Sequence, residues 1–81
     1  MRTEKELLQL LLDNIDKLET GLCYLTYFLW VYHNSISYDE KQKITLYIEL
    51  KAPKKRKDCF HWKPNEKQPR IEWLKSQIEK L

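Results

Sequence analysis

The run Leu22-Cys23-Tyr24-Leu25-Thr26-Tyr27-Phe28-Leu29-Trp30-Val31-Tyr32 contains no charged residue, and wound as a helix it is apolar nearly all the way round. A helix of that kind belongs inside a protein or inside a bilayer. Its 11 residues fall well short of the roughly 20 needed to cross a membrane. The run therefore predicts the central helix of a small water-soluble bundle, spanning about 22–33, with neighbouring helices wrapped around it. Tyr24, Tyr27, Trp30 and Tyr32 supply more large rings than so short a chain can easily enclose on every side. Some of them are expected to reach a partner, because tyrosine and tryptophan dominate binding hot spots.

Working outward, Gly21 is the only glycine in the chain and marks where a charged, amphipathic pattern gives way to the apolar run. It either ends the preceding helix in a left-handed conformation or lies within a continuous helix where another packs close; a break or kink is the favoured reading. Before it, Thr3 and Glu6 have the spacing of a capping box, and Glu4 and Glu6 suit the positive end of a helix dipole. Leu8, Leu11, Leu12, Ile15, Leu18 and Leu22 recur every three or four residues, with Asp13, Asp16, Lys17 and Glu19 on the other side. That is an amphipathic helix over about 4–20.

On the other side of the run, His33, Asn34 and Ser35 form a polar connection, and Ser37 with Glu40 repeats the capping-box spacing. A third helix follows over 38–51, with Ile44, Tyr47, Ile48 and Leu50 as its buried side. Pro53 stops it. A connection over 52–68 carries Lys54-Lys55-Arg56-Lys57, Phe60, Trp62 and Pro64-Asn65; loops this long usually pack, move or bind something. Pro69 suits the first turn of a last helix over 69–80, with Ile71, Leu74, Ile78 and Leu81 on one face. Phe60, Trp62 and Trp73 are expected to fold back as an aromatic clamp over the core. The fold predicted is all-α: one domain, 1–81, a bundle of about four helices with a long basic, aromatic-containing loop before the last.

Composition agrees with a folded chain. At 42% apolar and 12% aromatic residues with a single glycine, the sequence lacks the signature of disorder. At 81 residues it would bury only about 60–65% of its unfolded surface, so its stability is expected to be modest. Charge is uneven. Residues 1–40 hold 3 Lys/Arg against 7 Asp/Glu (3 − 7 = −4), and 41–81 hold 12 against 5 (12 − 5 = +7). Such polarity can steer an acidic partner to the second half, or favour head-to-tail self-association.

Motifs for chemistry are sparse. Cys59 and His61, with Cys23 and His33, are four zinc-type ligands, but only Cys59-x-His61 approaches ligand spacing, so no metal is predicted. The same pair has no third orienting group for nucleophilic catalysis. Asp13 with Asp16 and Asp39 with Glu40 read as exposed helix carboxylates, and one glycine allows neither a phosphate loop nor a nucleophile elbow. The expectation is a chain that is not an enzyme and has no cofactor. Two cysteines are too few for a disulfide framework, the first residues are unlike a signal peptide, and no segment is long enough to span a membrane. A cytoplasmic protein without a membrane partner is expected.

Surface binding remains. Lys54, Lys55, Arg56 and Lys57 could contact phosphates, and Phe60 and Trp62 beside them could stack on bases. The basic run also has the form of a nuclear import signal. With Trp62 and Arg70 added, the same cations make a compact basic and aromatic surface suited to an acidic protein.

Gly21-Leu22-Cys23, the helix start Ile36-Ser37-x-x-Glu40, and the ending Trp62-x-Pro64-Asn65-x-x-x-x-Pro69-Arg70-Ile71-Glu72-Trp73-Leu74 resemble a group of short orphan proteins encoded by phages and prophages of gut bacteria. The resemblance covers most of the chain. The group usually has Gly where Asn65 stands, a change a turn tolerates because Asn also enters the left-handed region. It implies a small mobile-element protein in a bacterial cytoplasm, which sets the import signal aside, and it carries no activity or site residues with it. The function expected is a non-catalytic protein-interaction module, in its sharpest form an inhibitor of a host enzyme or defence protein. Its contacts would be Lys54, Lys55, Arg56, Lys57, Trp62 and Arg70. Two alternatives stand beside it: nucleic-acid or nucleotide binding through the basic loop, and self-assembly as a structural homo-oligomer.

Overall fold

Two reciprocal capping boxes set the frame. Glu6 N donates to Thr3 Oγ1 at 3.2 Å while Thr3 N donates to the Glu6 carboxylate at 2.9 Å. Glu40 N donates to Ser37 Oγ at 3.2 Å, and Ser37 N to Glu40 Oε1 at 2.9 Å. Each pair satisfies two amides that a helix start would otherwise leave open. The structure, a computed structural model, describes residues 1–17, 24–52 and 67–81. Among these, all regular structure is helical: α1 Glu4–Asp13, α2 Tyr24–Val31, α3 Tyr38–Lys51 and α4 Lys67–Lys80. The all-α bundle of four helices is as the sequence predicts.

The first helix is shorter than its stripe suggests. It ends at Asp13, and a turn covers 14–17. The residues just beyond the helix, together with Tyr24 from α2, take over the carbonyls of its last turn. Asn14 Nδ2 donates to Leu10 O at 2.8 Å, Tyr24 Oη donates to Leu11 O at 2.7 Å, and Leu12 O accepts from the Asn14 and Ile15 amides. With those acceptors engaged, the helix can stop without buried polar groups left open. A continuous helix from Thr3 through Gly21 is thereby overturned. Gly21 itself, with Leu18 and Leu22, lies outside the described residues.

The core draws on every helix: Leu7, Leu8, Leu11 and Ile15; Tyr24, Leu25 and Phe28; Ile36, Ile44, Ile48 and Ala52; and Leu74. Its centre is α1 and not α2. Among the described residues, helix α1 lies close against both α4 and α3, and α2 approaches no other helix as closely. The reason is size. Leucines let helix axes approach, whereas the buried face of α2 carries the larger rings of Tyr24 and Phe28, 6.2 Å apart. The sequence reading that puts α2 at the centre, packed by the other three helices, is corrected to this extent: among the described residues α1 takes the central place.

Helix α3 ends as its sequence directs. Ala52 N donates to Ile48 O at 2.9 Å, and Ala52 turns extended at φ −67°, ψ 151°, the conformation that a following proline imposes. Ile44 and Ile48 are buried and Tyr47 is half-buried, but Leu50 is 74% exposed and does not belong to the inward face. Helix α4 begins two residues ahead of Pro69, whose missing amide costs nothing within the first turn. It buries Leu74, half-buries Ile71, Trp73 and Ile78, and leaves Leu81 exposed. Tyr47 Oη donates to Gln77 Oε1 at 2.7 Å, joining α3 to α4. Trp73 thus rests on the core, while the Phe60 and Trp62 parts of the expected clamp lie outside the described residues.

Candidate interaction surface

Lys54, Lys55, Arg56, Lys57 and Trp62, expected to meet a partner, lie outside the described residues. Arg70 is described, and its place corrects the expectation of a surface contact. It is 5% exposed, with its guanidinium carbon 5.0 Å from the centroid of the Tyr24 ring. Such a cation over a ring face is attractive, the more so out of water. Arg70 belongs to the joint between α4 and α2. Burial pushes the Tyr24 phenol well above its usual range, with Arg70 opposing the shift. The neutral hydroxyl is thus the form that donates to Leu11 O.

What α2 turns outward is aromatic. Tyr24, Leu25 and Phe28 face the core; Tyr27, Trp30 and Val31 do not. These three sit at i, i+3 and i+4, so they share one face of the helix. Trp30 is 69% exposed, and the Tyr27 and Trp30 rings lie 6.0 Å apart with their planes tilted by 31°. Together the three make an exposed patch of two rings and a valine, and the largest such patch on a small protein is often functional. The sequence marks Tyr27 and Trp30 among four rings too many for the core; it gives no sign of Val31, nor of which rings turn outward. Tyr32, the fourth, is half-buried, packs on Phe28 and donates to Asn14 Oδ1.

A second outward set lies on α3, where Leu46 and Leu50 are exposed one turn apart and Tyr38 opens the helix, also exposed. Neither Leu46 nor Tyr38 stands out in the sequence as a surface feature. Helix α3 is apolar on two sides, so its inward face is chosen by which leucines and isoleucines find partners.

Charged groups gather where Arg2, just ahead of α1, meets the start of α3. Glu40 Oε2 accepts from Arg2 N at 2.8 Å and from Arg2 Nη1 at 3.2 Å, while Arg2 Nη1 also reaches Ser35 O at 3.3 Å and Lys43 Nζ reaches Arg2 O at 3.3 Å. The Glu40 side chain is only 7% exposed, which corrects its reading as an ordinary surface carboxylate. One carboxylate therefore caps α3 and holds the residue before the α1 cap. Hydrogen bonds from Ser37 and Arg2, the Ser37 backbone first, hold its carboxyl down at about 2. Thr3 likewise lowers Glu6. Met1, Arg2, Glu6 and Glu40 line an open depression of about 510 Å³. Both of its carboxylates are committed to hydrogen bonds within the fold, so the depression is a structural junction.

Of the four ligands weighed for zinc, only His33 is described, and its Nδ1 lies 2.8 Å from Trp30 O. Among the described residues, no three His, Cys, Asp or Glu side chains gather as metal ligands would, and no helix is long and apolar enough to cross a membrane. No protein-family model, curated protein or solved structure matches the chain.

Proposed function

We propose that this chain is a non-catalytic protein-interaction module whose anchor is the outer face of α2. The observation that carries the reading is Trp30: a tryptophan 69% exposed, beside Tyr27, on a helix without a single charge. Tryptophan and tyrosine concentrate binding energy because they bring large, stiff contact area with a polar handle. The basic run Lys54-Lys55-Arg56-Lys57 and Trp62 extend the contact in this reading, steering an acidic partner toward the aromatic anchor. In its specific form, the module comes from a phage or prophage, acts in the cytoplasm of a bacterial host, and inhibits a host enzyme or defence protein. The sequence resemblance to short phage-encoded proteins supports that form.

The test is affinity capture from a bacterial host lysate with three baits: the native chain, Trp30→Ala, and a variant with Lys54–Lys57 replaced by Ser. A protein captured by the native chain, lost with Trp30→Ala and only weakened by charge removal, is the result expected. Capture indifferent to Trp30→Ala would overturn the α2 anchor. Capture of nucleic acid that falls steeply with salt and vanishes on charge removal would instead mark a polyanion binder.

A further inference from the structure

We draw no further inference here: the strongest candidate, the exposed Tyr27, Trp30 and Val31 face of α2, belongs to the surface already described, and nothing in the structure shows what covers it.

Discussion

Helices α1 and α2 divide the work of the bundle in a way their hydrophobicity reverses. Helix α2 has no charged residue, yet one of its faces is open; α1 carries Glu4, Lys5, Glu6 and Asp13, yet it is the element against which α3 and α4 pack. What matters is segregation and shape. A stripe of leucines on an otherwise polar helix can be covered completely by two neighbours. A helix apolar on every side has more apolar surface than one buried face can hold, and on α2 Tyr27, Trp30 and Val31 stay exposed. Total hydrophobicity says that a segment must be partly buried; the arrangement of large and small side chains decides which segment becomes the centre.

The contrast is easiest to break at Leu11, fully buried on α1. Leu11→Ala should destabilise the fold by about 3 kcal/mol, the usual cost of a leucine-sized cavity, read as a lower urea midpoint. Trp30→Ala on α2 should move that midpoint hardly at all. Equal losses would mean that the two helices are equally enclosed. Next comes Tyr24→Phe, which keeps the ring over Arg70 but leaves Leu11 O without its hydroxyl donor. A loss of about 1–2 kcal/mol is expected, together with faster hydrogen exchange in the last turn of α1. An unchanged α1 end would show that Asn14 suffices to stop the helix.

The acid response sharpens the comparison at the junction between the starts of α1 and α3. The hydrogen bonds from Ser37 and Arg2 hold the Glu40 carboxyl down at about 2 in the folded chain, below the usual carboxylate range, so the folded state favours the carboxylate. Its contribution is complete above the unfolded value and is lost as pH falls through the folded one, between about 5 and 2. Urea midpoints should therefore drop over that window, and Glu40→Gln should flatten the drop. A Gln amide would point N–H at the Arg2 donors, so this variant should also be less stable at neutral pH. A pH profile identical to that of the native chain would remove Glu40 from its place between the two helix starts.

Much of this fold is legible in local chemistry. Thr3 with Glu6 and Ser37 with Glu40 announce two helix starts because a capping box is made entirely within four residues, and Ala52-Pro53 announces an end for the same reason. The features that escape a reading of the sequence are those decided at a distance. Helix α1 stops at Asp13 with the Leu11 carbonyl taken by Tyr24, 13 residues beyond Leu11. Glu40 is buried because Arg2, 38 residues away, folds over it. Arg70 looks like one more surface cation until Tyr24 is placed beneath it. On α3 the spacing of Ile44, Tyr47 and Ile48 points Ile48 inward, but whether Leu50 joins that side depends on the packed neighbours, and it stays 74% exposed. The candidate surface is half legible in the same sense: the excess of rings on α2 is visible in composition, but which rings remain outside depends on the partners of Tyr24 and Phe28.

The open face of α2 is tested most directly by the fluorescence of Trp30 in a chain carrying Trp62→Phe and Trp73→Phe, measured at low concentration with acrylamide as quencher. The account predicts emission at the wavelength of a water-exposed indole, and quenching close to that of free tryptophan. A blue-shifted emission that acrylamide barely reaches, in a chain that is still folded and monomeric, would mean that α2 is enclosed and that the anchor assigned to it does not exist.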